Sequence, residues 1–370
     1  MNDAQHPAES GLPSPATPNS SGTAGPTGFP SRVRGCLLGG SLGDQLGYPV
    51  TASSLAGIRI RFGAEGLRGF DQLPDGARIS GTTQLALYTV DALVEALEWA
   101  NSGTAADETA CLWLSYLRWY AGQEGRFPET APQPLPRWID ERQLLHERRS
   151  PSAACLAALA TGEMGSRVRP LNPAAEGAES VARSAAFGLL PHVAPEFAAR
   201  LAVHGAALTH GHPVAQQGAA AFSGMIRLLA HEGASPARAA AAVLAGLESD
   251  PEASRLAGRL RAALRLGESG QVPTEERRDA LGAGLAADEA LAVALYAVLV
   301  GEDPDPQEHF RSTLALAIND DGDSSSVGSI AGSLLGAYYG EAALPPAWLA
   351  SAEGTEEVTA MAALFLAQTA

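Results

Sequence analysis

One helix, studded with glycines, constrains this chain more than any other stretch. Arg34-Gly35-Cys36-Leu37-Leu38-Gly39-Gly40-Ser41-Leu42-Gly43-Asp44-Gln45-Leu46-Gly47 carries apolar residues at helical spacing, yet glycine recurs at intervals of three and four. Each glycine inside a helix costs roughly 1 kcal/mol relative to alanine. A run of them therefore implies close packing, or backbone approach to a ligand. Near the C-terminus a second small-residue helix runs through Gly328, Gly332 and Gly336 to Gly340.

Alanine-rich helical patterns fill most of what lies between. They are expected from Ser80 or Thr82 onward and over 106–122, 152–159, 181–190, 214–232, 235–247, 251–266, 274–284, 287–300, 307–317 and 355–369. Residues 52–78 and 165–179 read as loops, and 127–137 as a proline-rich loop. Trp113, Tyr116, Trp119 and Tyr120 form a packing stripe on one helix. No run alternates as a strand would. The expected fold class is all-α, a single compact multi-helix domain.

The chain has 370 residues and is 46% hydrophobic, which suffices for one large domain or two ordinary ones. Residues 1–30 are rich in Pro, Ser, Gly, Thr and Ala and read as a disordered tail, leaving 31–370 as the folded domain. The net charge is −16 and no basic stripe exists, which argues against nucleic acid and anionic membranes as partners. All 25 basic residues are arginine, so Schiff-base, phosphate-loop and kinase-type lysines are excluded. Cys36, Cys111 and Cys155 are odd in number and far apart. They read as buried hydrophobes rather than disulfides or a zinc site. No stretch approaches ~18 uninterrupted apolar residues and no secretory signal pattern opens the chain, so a cytoplasmic protein is expected.

Two oxygen-rich loops run into helix N-termini: Ser80-Gly81-Thr82-Thr83, and Asn319-Asp320-Asp321-Gly322-Asp323-Ser324-Ser325-Ser326. Short oxygen ligands before a helix suit a hard cation or a phosphate; they also suit plain N-capping. Asp44 reads either as an acceptor behind such a site or as a buried structural carboxylate. His210 and His212, with His204 upstream, invite a metal, but their spacing lacks the carboxylate or cysteine partners of common zinc patterns.

Five segments together resemble the ADP-ribosylglycohydrolase family, which includes dinitrogenase-reductase-activating and ADP-ribosylhydrolase-like enzymes. They are Gly35 to Pro49, Ile79 to Leu87, Val181 to Leu189, Leu208 to Pro213, and Gly322 to Gly340, in family order. The resemblance implies an all-helical enzyme that removes ADP-ribose from modified proteins. It also implies two magnesium ions between an early Ser/Thr-Asp-Asp-Thr loop and a late Gly-Asp-x-Asp-Ser/Thr loop, with a glutamate after the first helix for acid–base work.

This chain departs at those positions. Gly81 and Thr82 replace the early aspartates, Ser325 replaces the second late aspartate, and Thr51 stands at the glutamate position. Asp320 and Asp321 lie near enough in sequence to compensate if the turn were remodelled. Glu176 and Glu179 occupy a region where the family places small residues against the diphosphate.

The expected catalytic carboxylates are then Asp323 and Asp44. The expected substrate contacts are His210, Ser80, Thr82, Thr83, Ser325, Ser326 and Arg183. Any metal would fall to Asp323, Ser80 and Ser326, and no cofactor is expected beyond a depleted magnesium site. The partner expected is ADP-ribose or an ADP-ribosylated protein. Three functions follow: a weak or inactive binder of ADP-ribose-like ligands, a hydrolase using one metal or none, or an interaction protein.

Overall fold

The computed structural model describes residues 28–369, so the tail expected over 1–30 lies almost wholly outside the described residues. The fold starts at Phe29, two residues before the expected boundary, because Pro30 sits in the first turn of the first helix, where proline is tolerated.

In chain order the helices are α1 (Phe29–Gly47), α2 (Leu55–Phe62), α3 (Gly81–Asn101), α4 (Glu108–Glu124), α5 (Ala153–Ala160), α6 (Glu179–Ala182), α7 (Ala185–Gly188) and α8 (Pro195–Ala207). They continue with α9 (Pro213–Glu232), α10 (Pro236–Leu247), α11 (Ser254–Ser269), α12 (Thr274–Leu281), α13 (Ala287–Val300), α14 (Pro306–Ile318), α15 (Ser324–Tyr339), α16 (Pro346–Ser351) and α17 (Thr355–Gln368). The described residues contain no strand, only isolated bridges at Ala77–Ala352 and Gly177–Ala286. The starts follow local chemistry. Ser54, Ser80, Asp107, Ser152, Ser235, Asp305 and Asp323 each accept a backbone N–H of the following turn.

Several expectations need correction. The 52–78 loop contains α2, capped by Ser54 and closed by Gly63 at φ 93°. The helix expected from Val181 to Pro191 is two single turns, α6 and α7, broken at Arg183 and Ser184. Helices α8 and α16 had no counterpart in the sequence reading. For α8 the signals existed, with Pro195 and Glu196 in the first turn, but its buried face is largely alanine and glycine and shows little contrast. The three cysteines are free and buried. Tyr116 and Trp119 are core residues, while Trp113 and Tyr120 are partly buried against them. No helix among the described residues is long and apolar enough to cross a membrane.

At the centre, α1 and α15 run antiparallel with their backbones in contact. A methyl carbon built on Gly35 would stand 2.5 Å from the Gly336 carbonyl oxygen. At Gly39, Gly43 and Gly47 it would meet the carbonyls of Gly332, Gly328 and Ser324 even more closely. The clash is reciprocal: Gly328, Gly332 and Gly336 face the carbonyls of Gly43, Gly39 and Gly35. Glycine at every fourth position on both helices keeps one side free of side chains, and the two bare faces interlock. This seam brings the C-terminal end of α1 beside the N-terminus of α15.

Candidate active site

Asp44 lies on the last turns of α1, one residue past the seam glycine Gly43, and has no exposed surface. Its carboxylate ties three elements together. Oδ2 accepts the Ser80 N–H (2.8 Å), the Thr83 hydroxyl (2.6 Å) and the Thr83 N–H (3.3 Å). Oδ1 accepts the Ser80 hydroxyl at 2.6 Å and the Ser325 hydroxyl. Burial pushes the carboxyl up, and the donors from Ser325, Ser80 and Thr83 pull it only part of the way back. The early loop at the start of α3 and the late loop at the start of α15 are thus bonded through one side chain of α1.

The hydroxyls complete the network among themselves. Ser325 Oγ lies 3.0 Å from Ser80 Oγ and 3.2 Å from Thr82 Oγ1. The Ser325 N–H donates to Thr51 Oγ1 (2.9 Å), whose hydroxyl donates to the Gly47 carbonyl (3.2 Å). Asp323, half-buried, caps α15 by accepting the Ser326 N–H at 3.1 Å. Its carboxyl is raised to about 6, first by burial and then by the charge of Glu179. Ser80, Thr83, Ser325 and Ser326 are all buried, and Thr82 is half-buried. Ser326 Oγ has no hydrogen-bond partner.

The space around Gly81 is closed. Its N–H donates to the Arg149 carbonyl (2.8 Å), and a methyl carbon there would stand 3.0 Å from Pro151 Cα and 3.3 Å from the Ser150 carbonyl. Glu353 braces this segment by accepting the Ile79 N–H (3.0 Å) and pairing with Arg149. Its own backbone is held by Gln45 of α1. Sequence reasoning missed both Arg149–Pro151 and Glu353, because neither lies in a motif and their placement depends on long-range packing.

A second chain of contacts runs through the middle of the molecule. Arg183, expected to contact substrate, is fully buried with its guanidinium over the Tyr116 ring, 4.5 Å from the centroid. It donates to the Gly205 carbonyl (3.0 Å) and to Thr209 Oγ1 (2.7 Å). Thr209 Oγ1 in turn lies 2.8 Å from His210 Nδ1, within hydrogen-bond distance. Burial lowers the affinity of His210 for a second proton. Nε2 is buried, has no hydrogen-bond partner, and stands 3.6 Å from Glu179 Oε2. For Glu179, burial raises the carboxyl but the facing imidazole outweighs it, and the group stays below the usual range. His212 Nδ1 caps α9 by accepting the Val214 N–H and stands 3.8 Å from Glu176 Oε2.

Asp320 and Asp321 do not compensate for the replaced carboxylates. Asp320 is buried between Arg277 and Arg278. Asp321 pairs with Arg278 at 2.7 Å and caps Leu55 N–H. Glu176 pairs with Arg255 at 2.6 Å. Among the described residues, no group of three or more His, Cys, Asp or Glu side chains is set to hold a metal ion.

The model of the ADP-ribosylglycohydrolase family matches residues 26–370. The chain belongs to that family. Relatives include ADP-ribosylhydrolase ARH3 of Bos taurus, 35% identical over 122 residues covering 32% of each chain. The ARH3 of Gallus gallus is 37% identical over 100 residues, 26% of this chain and 27% of that one. The human ARH3 is 34% identical over 125 residues, 32% of each. The matched stretch thus spans about a third of these curated relatives. A solved structure titled "ADP-ribosylglycohydrolase-related protein complex" superposes with a TM-score of 0.61 at 25% identity, covering 92% of this chain and 99% of that one. In this family member, the positions of Thr82, Ser325 and Thr51 are joined in one hydroxyl network centred on Asp44.

Proposed function

We propose that this family member binds ADP-ribose, free or attached to protein, at the Asp44–Asp323 loops, and hydrolyses the glycosidic bond weakly or not at all. The observation that carries the reading is the closed hydroxyl network. Ser325 donates to Asp44 and lies against Ser80 and Thr82, so the side chains facing each other across the loops already satisfy one another. The donor set does not fit a magnesium pair. Magnesium is held chiefly by carboxylates and gives up water reluctantly. The only acids on the two loops and α1 that face this point are Asp44 and Asp323, and Asp44 is occupied by protein donors. A side chain restored at Gly81 would require Pro151 and Ser150 to give way by a few tenths of an ångström.

Ligand binding is supported by two buried polar atoms that make no hydrogen bond of normal geometry, Ser326 Oγ beside Asp323 and His210 Nε2 at 3.6 Å from Glu179. Donors held this loosely by their carboxylates can be completed by a polar ligand. With Thr51 at the position of the family's acid–base glutamate, turnover should fall by ~10²–10⁴ relative to an intact member.

Asp323 favours a second reading, a metal-independent hydrolase, because it is half-buried at the start of α15 and, unlike Asp320 and Asp321, is not paired with an arginine among the described residues. Calorimetry with ADP-ribose, and turnover of ADP-ribosylated arginine and serine peptides with and without chelator, separate the readings. Binding indifferent to magnesium, with negligible turnover, is expected. Fast chelator-insensitive turnover would establish the second reading. Fast turnover abolished by chelator would overturn both. We place the protein in the cytoplasm on the same reading of its composition, and fractionation tests that.

A further inference from the structure

A separate groove lies between α2, the loop after it, and the elements around α12 and α14. It has a volume of about 340 Å³, and its lining includes Arg59, Glu65, Arg68, Gln271, Thr274 and Arg277. Three arginines thus meet one carboxylate, in a chain with 41 acidic residues against 25 basic ones. Pairing leaves a cation over. Arg68 stands 3.5 Å from Glu65, and Arg277 pairs with Asp320 through one end of its guanidinium. The exposed guanidinium of Arg59 engages no carboxylate or other acceptor among the described residues, although its own main chain is fixed in α2. Arg277 is buried, yet its Nε has no hydrogen-bond partner.

We propose that this groove binds a small phosphorylated molecule, with Arg59 as the principal phosphate contact and Arg277, Gln271 and Thr274 as further donors. The guanidinium fork matches phosphate oxygens in a bidentate way. A guanidinium, an amide and a hydroxyl from separate elements suit a tetrahedral oxyanion better than a planar carboxylate. The volume exceeds that of an isolated phosphate and lies in the range of small-molecule sites, which leaves space for an organic part. The groove is separate from the Asp44 network: Asn319, at the start of the late loop, reaches it, but Asp44, Ser80, Thr82, Thr83, Asp323 and Ser325 do not line it.

The test is calorimetric titration of the full chain with glycerol 3-phosphate and with inorganic phosphate, at low and raised ionic strength. Saturable 1:1 binding of glycerol 3-phosphate is expected, with inorganic phosphate weaker. Arg59→Glu should weaken it at least tenfold, Arg59→Lys less, and added salt should weaken it as for any exposed ion contact. Arg238→Glu, at an exposed arginine of α10 outside the groove, should leave the affinity unchanged. Arg59 is exposed, so its variants should melt like the wild type, and thermal scans check this. No saturable binding up to millimolar ligand would overturn the proposal. So would unchanged affinity in Arg59→Glu, an equal loss in Arg238→Glu, or equal affinity for inorganic phosphate.

Discussion

Asp44→Ala is the most direct probe of how the two loops are held. The substitution strands five donors: the Ser80 and Thr83 N–H groups and the hydroxyls of Ser80, Thr83 and Ser325. Ser80 and Ser325 are 3.0 Å apart and can turn to each other, and Ser325 can also bond Thr82. The two backbone N–H groups cannot turn. A buried donor left unsatisfied costs ~1–3 kcal/mol, so the pair costs about 2–6 kcal/mol. Part of this is offset because the variant no longer buries a carboxyl that desolvation already disfavours. A net loss of roughly 2–4 kcal/mol is expected. Asp44→Asn should lose about half as much, since its amide oxygen can still accept the backbone donors. Urea unfolding followed by far-ultraviolet circular dichroism measures both. Chelator should not shift the wild-type midpoint, because the cross-link is made of protein atoms. A loss below ~1 kcal/mol for Asp44→Ala, or a chelator-sensitive wild type, would refute this account of the clamp.

The same substitution should act with opposite sign at two glycines. Gly43→Ala drives a methyl group into the Gly328 backbone and should cost about 3 kcal/mol or more, whereas Gly246→Ala, with open space around it, should stabilise by ~0.5–1 kcal/mol; equal melting shifts would dismiss the seam as a constraint. Asp323, raised to about 6, binds a proton in the folded protein that the unfolded chain releases, so its stability contribution falls as pH rises from the ordinary carboxylate range through 6. Wild type should therefore gain on Asp323→Asn as pH is lowered from 7 toward 4, and a flat difference would contradict the burial argument. The double variant Thr82→Asp, Ser325→Asp sets carboxylates beside Asp44; it should melt lower in chelator and recover several degrees with magnesium in excess. A comparable magnesium shift in the wild type would count against the depleted site.

Fold class and family were legible because both rest on local pattern. Helical periodicity marks most elements, and the glycine spacings of α1 and α15 announced close approach without saying to what. Their mutual interlock pairs opposite ends of the sequence, which no local window contains. At the site, the substitutions at Gly81, Thr82, Ser325 and Thr51 were visible as changes in donor type. That Ser325 would bond Asp44, and that Arg149 to Pro151 would cover Gly81, depends on tertiary geometry. Arg183 shows the reverse case. A charged residue within a family motif suggested ligand contact, but its guanidinium is used on Tyr116, Gly205 and Thr209.

The seam between α1 and α15 also bears on how the molecule is made. Its partners are separated by nearly the whole sequence, so the contact requires closing one of the largest loops the chain allows. On a ribosome, α1 emerges before α15, and its bare glycine face has no mate until α15 follows. The Asp44 network cannot assemble earlier than that, because Ser325 arrives with α15. A chain ending before Ser324 would present an unfilled groove where its central helix should lie, and would be recognised as unfinished by whatever surveys exposed apolar surface.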